Sequence, residues 1–214
     1  MTKSRFPARC LVLCGSALLL SACSSGPSAS DAQQALKVAL GECPQVDVSN
    51  VEKINGIANG DSYYTLQVKY SLNITPLESS AQRLQQLNAF IEKQKQQLPL
   101  MEARIAEIDA KVASGELQRQ PEEDETSGPY AKAMTAYSEA KNFVRNFNGV
   151  LSHQTAETRA LLADDLRAAC PGLPRNVAKD YSNADLESFG DTIQIDYTHD
   201  GLQLVKSDNG WIAN

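Results

Sequence analysis

Few side chains in this 214-residue chain stand in a pattern that chemistry requires; two histidines and five cysteines are the main candidates. His153 and Glu157 are four residues apart, so on a helix they share one face. A His/carboxylate pair at that spacing can hold a metal or move a proton. A metal needs a third ligand, which nothing nearby supplies, and a solvated helix face accounts for the pair. His199 comes just before Asp200-Gly201 and reads as an edge residue ahead of a turn. There is no serine in a nucleophile-elbow context, no phosphate loop and no cluster with metal-ligand spacing. The acidic run between Pro121 and Pro129 has no cation-loop spacing and reads as a solvated loop. The expectation is a non-enzyme with no catalytic residue, no metal and no cofactor. The thiols Cys10, Cys14, Cys23, Cys43 and Cys170 remain.

Three of them lie near the N-terminus. Lys3, Arg5 and Arg9 give the first residues three positive charges and no acid, and an apolar run from Cys10 to Leu20 follows. That run is too short to span a bilayer, which takes about 20 residues. A basic start, a short apolar core and small residues at its end make a secretory signal peptide over residues 1–22. The ending Leu20-Ser21-Ala22-Cys23 resembles the bacterial lipobox. The resemblance implies that the Cys23 thiol receives a diacylglycerol thioether, that the peptide is cut before Cys23, and that the new N-terminus is acylated. Two or three acyl chains, at about 0.8 kcal/mol per buried methylene, hold a protein stably on a membrane. Ser24 stands where enterobacterial lipoproteins kept in the inner membrane carry Asp, so the resemblance favours the outer membrane, with the chain facing the periplasm. No other apolar run is long enough to cross a bilayer.

Taking three cations from the formal net charge of −6 leaves −9 for the mature chain. An acidic chain without a basic patch is a poor partner for nucleic acid.

The remaining elements follow from periodicity. Ser24 to Ser30 is a small-residue tether completing residues 23–30. Ser30 or Asp31 can cap a helix carrying Ala32, Ala35, Leu36, Ala39 and Leu40, which Gly41 ends. Tyr64, Leu66, Val68, Tyr70, Leu72 and Ile74 alternate with polar residues, as in a strand with one wet face. Asn59-Gly60 is a hairpin signal, the partner strand runs roughly from Val51 to Ala58, and Gly56 marks an expected bulge. After Pro76, Leu84, Leu87, Ile91, Gln94, Leu98, Met101, Ile105, Ile108 and Val112 form an a/d heptad seam, with Pro99 expected to kink or restart the helix. A second helix, from about Tyr130 to Ala169, carries Met134, Tyr137, Phe143, Val144, Phe147, Leu151, Leu161, Leu162 and Leu166, with Asn146, Asn148 and Gly149 weakening its middle. The two form an antiparallel helical hairpin, a coiled-coil arm over 77–169. Ile193, Ile195 and Tyr197 make a strand, and Asp200-Gly201 predicts a tight hairpin placing Tyr197 opposite Leu204 and His199 opposite Leu202. Asp208-Asn209-Gly210 is a further turn before Trp211-Ile212.

The fold expectation is α+β: an antiparallel sheet of two hairpins, built from 31–76 and 170–214, packed on the N-terminal helix, with the helical hairpin inserted. The closing residues Leu202 to Trp211 look like the last strands of cystatin-like and nuclear-transport-factor-like α+β lipoproteins.

If Cys10 and Cys14 leave with the signal peptide and Cys23 carries lipid, Cys43 and Cys170 remain in an oxidising compartment and are expected to form a disulfide. Both follow a helix end and precede a proline. Two functions then compete. One is a non-enzymatic envelope lipoprotein that binds a protein partner through its arm. The other is a lipid or small-ligand carrier that uses a concave sheet. A hydrolase has the least support.

Overall fold

The structure is a computed structural model that describes residues 26–122, 124 and 126–214. The expected signal peptide and Cys23 lie outside the described residues. In chain order the elements are α1 (Ala29–Ala39), β1 (Val46–Ala58), β2 (Tyr63–Ile74), α2 (Glu78–Ala113), α3 (Pro129–Ala169), α4 (Arg175–Asn183), a 3₁₀ turn (Leu186–Gly190), β3 (Ile193–Ser207) and β4 (Gly210–Ala213). The strands form one antiparallel sheet in the order β1-β2-β3-β4, and α2 and α3 pair with each other. This is the expected α+β class, with two hairpins and a long helical insertion.

Helix α1 starts earlier than expected. Ser28, not Ser30 or Asp31, is the N-cap: its hydroxyl oxygen accepts from the Asp31 backbone N–H, while the Asp31 carboxylate accepts from the Ser28 N–H at 2.8 Å. This reciprocal capping box needs a Ser three residues before an acid, which Ser28 and Asp31 supply. Pro27 is already buried, so the tether expected over 23–30 ends by Gly26. At the other end Gly41 takes φ +77°, its N–H bonding the Val38 carbonyl and the Glu42 N–H bonding that of Lys37. That left-handed closure favours a residue without Cβ.

β1 is longer than the expected Val51 to Ala58. Its two irregularities fall between Ser49 and Glu52 and between Lys53 and Asn55. Asn50 takes φ +51° at the first. Gly56 is not the bulge: it pairs in register with Leu66, and a Cβ there would lie 2.4 Å from the Tyr64 ring. The glycine serves a close approach of an aromatic side chain.

The largest departure is in β3. Asp200-Gly201 is not a hairpin turn. β3 runs through it for 15 residues and stays paired with β2. Tyr197 therefore lies opposite Tyr70, Leu204 opposite Tyr64, His199 opposite Val68 and Leu202 opposite Leu66. Two residues of β3 stand against the single Gln67 of β2, so Asp200-Gly201 is absorbed as a bulge. The physical reason is that β2 is 12 residues long; a turn at Asp200 would have left its first residues without a partner on that side. The true turn lies at Asp208-Asn209, where Gly210 takes φ +112°.

The core lies between the inner face of the sheet and the helices. Leu66, Val68, Leu72, Ile74 and Leu204 are fully covered from the strands, Ala32 and Leu36 from α1, Leu162 and Leu166 from α3, and Ala178 and Tyr181 from α4. The Tyr181 ring meets Phe189 edge-on at 4.9 Å. Helix α2 does not restart at Pro99, which faces solvent, and α3 is continuous through its middle, from Asn146 to Gly149. The facing helix supplies the packing that local propensity lacks.

Candidate functional site

The base of the arm holds the disulfide and the Arg83–Asp165 ion pair. Cys43, just past α1, and Cys170, the C-cap of α3, are joined by a disulfide with their Cα atoms 5.3 Å apart. Both residues are buried. The amide oxygen of Gln45 lies 3.4 and 3.5 Å from the two sulfurs. Beside the bridge, two glycines meet backbone to backbone: a Cβ on Gly41 would lie 2.7 Å from the Gly172 Cα. No side chain fits at either position, and the sulfurs are close enough to bond because these strips of main chain touch.

Around this bridge the arm is locked by contacts between residues distant in sequence. Arg83 of α2 donates two bonds to Asp165 of α3, at 2.6 and 2.9 Å. The Arg83 guanidinium holds the Asp165 carboxyl below the usual carboxylate range, with burial acting against it. Ser80 and Tyr181 share a buried hydroxyl–hydroxyl bond of 3.2 Å, and burial pushes the Tyr181 phenol up. Arg159 donates to the carbonyls of Ser182 and, at 2.9 Å, Ala184, covering the end of α4. Tyr197 of β3 donates to Asp180 of α4 at 2.8 Å; its phenol is raised first by burial and then by that bond. None of these residues except Tyr197 stands in a periodic pattern of the sequence, because each pair joins elements whose meeting depends on the assembled fold.

Away from the base the arm has a different character. Helices of 36 and 41 residues are about 54 and 61 Å long. The expected seam is partly right. Leu84, Leu87, Ile108 and, on α3, Ala140 are buried, while Ile91, Leu98, Met101, Ile105, Phe143, Val144, Phe147 and Leu151 are only half-buried. Val112, at the end of the seam, is exposed, as are Leu100, Val150 and Leu161. Two helices alone cover one side of each seam residue; the other side stays wet. The loop beyond is closed by Asp124, one of whose carboxylate oxygens accepts from the N–H and hydroxyl groups of both Thr126 and Ser127, which holds its carboxyl far below the usual range. Its donors are protein groups, in keeping with a loop closure.

The His153/Glu157 pair is exposed on α3, where Glu157 accepts from Gln154 at 3.3 Å. His199 is exposed beside the β3 bulge. Among the described residues no group of His, Cys, Asp and Glu could hold a metal ion. The outer face of the sheet carries a polar network in which Ser71 donates to Asp196 at 2.7 Å and accepts from Asn50 at 3.2 Å. It floors an open depression of about 420 Å³ that Lys69, Gln194 and Thr198 also line.

Among the described residues no helix is long and apolar enough to cross a membrane. Comparison with protein-family models, with curated proteins and with solved structures finds no match for this chain.

Proposed function

We propose that this chain is a cell-envelope lipoprotein, anchored through Cys23 on the outer membrane and facing the periplasm, that binds a protein partner through its helical arm and catalyses no reaction. The observation that carries the reading is the arm itself: a coiled-coil hairpin whose seam is half-covered along much of its length, with Leu100, Val112 and Val150 exposed beside it. A pair of helices with apolar surface left over is the form that takes up a further helix or a groove. The Cys43–Cys170 disulfide supports an oxidising compartment, because such bonds persist mainly outside the cytosol. The carrier alternative has less support. The apolar face of the sheet, which a carrier would keep open, is packed by α1 and α4, with Leu66, Leu72, Ile74 and Leu204 fully covered.

The test is site-specific photo-crosslinking in cells, with the reactive residue placed at Leu100, Val112 or Val150 and, as control, at exposed Glu187. The same discrete adduct from the arm positions and none from Glu187 is expected. Equal labelling from all four positions, or none from the arm, overturns the arm reading. Palmitate labelling of Cys23→Ala checks the anchor separately: the variant should stay unprocessed and unlabelled.

A further inference from the structure

We infer that the hairpin end of the sheet is a membrane-contact face, seated against the headgroup region of the bilayer that holds the lipid anchor. The inference rests on the Cys23 anchor of the proposed function and adds which part of the protein meets the lipid.

The first argument is reach. Cys23 precedes Gly26 by three residues, which span at most about 11 Å of extended chain. Gly26 lies against the Tyr64 ring, where a Cβ would come within 3.0 Å of it. Pro27 is buried, with its carbonyl 3.5 Å from the Lys53 ammonium. Acyl chains on Cys23 therefore hold the bilayer surface close to Tyr64, at the start of β2.

The second argument is the composition of that end. Tyr63 of β2 lies directly opposite Val205 of β3, and Val205 directly opposite Ile212 of β4. Directly opposed residues share a face, so these three make one apolar row across three strands. Ile57 of β1, opposite Thr65, is their diagonal neighbour on the same face. Ile57, Tyr63 and Ile212 are 62%, 52% and 48% exposed. Farther along, the same face is polar, with Gln67, Lys69, Ser71, Asn73, Gln194 and Asp196. The polar face begins directly beside the row, at the pair Thr65 and Gln203 with Asn59 and Asn214 bonded to them, so the apolar patch is confined to the last residues of the strands. Tyr64 and Trp211, packed edge-on at 5.8 Å, stand at the same end on the other, core-facing side of the sheet, half-buried at its rim. Aromatic rings with one polar tip suit the boundary between hydrocarbon and water.

The third argument is charge. The two turns at this end carry Asp61 and Asp208, and the neighbouring cations are Lys206 and Lys53, the latter 4.9 Å over the Tyr64 ring, so the charges balance and the described residues form no basic cluster to seek anionic lipid. The contact is apolar and should persist in neutral bilayers and in salt.

The topology then sets the base of the arm at the end of the sheet away from the membrane. β2 runs 12 residues from Tyr63 to Ile74, about 36 Å, and α2 begins four residues later. The Cys43–Cys170 bridge and the arm's base lie at that opposite end.

Trp211 is the chain's single tryptophan and serves as the probe. The full-length acylated protein would be reconstituted into phosphatidylcholine vesicles containing lipids with a quencher near the headgroup, and intact-mass measurement would establish acylation of Cys23. Quenching of Trp211 by the lipid, with protection from aqueous iodide, unchanged by salt, is expected. The exposed-site variant Ile57→Asp/Ile212→Asp, shown folded by its melting transition, should stay vesicle-bound and lose the lipid quenching. Acylated protein whose Trp211 is as open to iodide on vesicles as in detergent overturns the contact face and leaves the anchor standing. An unmodified Cys23 mass overturns the anchor and the contact face with it. Quenching that appears only with phosphatidylglycerol overturns the apolar basis of the contact.

Discussion

Leu162 and Ile105 both lie on the apolar faces of long helices, yet Leu162 is fully covered and Ile105 only half-buried. The difference lies in how many neighbours each end of the arm has. At the base, α2 and α3 meet α4 and the rest of the core; toward the tip each helix has only the other. Periodicity makes the helix, but the number of packed layers decides how much each apolar residue stabilises it. One hairpin thus joins a firmly specified foot to a shaft with surface left over.

That contrast can be broken most strongly at the disulfide. Cys43 and Cys170 are 127 positions apart in the chain, and a loop of that size is worth about 4–5 kcal/mol in the chain-entropy model. The Cys43→Ala/Cys170→Ala variant should lose stability of that order in urea unfolding monitored by circular dichroism, and non-reducing peptide mapping of the wild type should recover the linked peptides. Two free thiols in the oxidised protein would remove the covalent part of the foot. A second, smaller difference should appear between Leu162→Ala and Ile105→Ala. The first should cost about 2–5 kcal/mol and the second only about 1 kcal/mol. Equal costs would mean that the shaft is as well packed as the foot. The smallest effect is expected at the ionic lock. Asp165→Asn, at a pair whose side chains are 21% and 31% exposed, should cost about 1 kcal/mol near neutral pH. The folded-state carboxyl lies below its unfolded value, so the stabilisation is complete above about pH 4 and fades as pH falls through the folded value. The gap between wild type and variant should therefore be flat from about pH 5 to 8 and narrow in acid. A gap that widens in acid would contradict the role given to Arg83.

Strong local patterns carried the expectations that held. The alternation from Tyr64 to Ile74 made β2, and the heptads made α2. The positions of Cys43 and Cys170 just past two helix ends anticipated their bridge. What failed depended on partners. Asp200-Gly201 has the chemistry of a tight turn, but β2 offered more ladder than a turn would have used, and tertiary pairing won. Pro99 sits in a helix held by a second helix, so its missing bond does not end the helix. Helix α4 went unread because nine residues with Val177, Ala178 and Tyr181 as their buried stripe give too short a period to stand out. The groups that lock the base, such as Arg83 and Asp165, are 82 positions apart, a distance at which single-sequence spacing carries no signal.

The touching glycines beside the disulfide also shape how the molecule carries force. A pull between the N-terminus and the arm enters along α1 and reaches Cys43, where the chain divides: one branch continues into β1 and β2 toward α2, and the other crosses the sulfur bridge directly into the foot of α3. Both legs of the arm are thereby covalently tied to the same point. Helix α4, β3 and β4 hang outside this circuit, so tension on the arm can be borne without peeling either of the last two strands from the sheet.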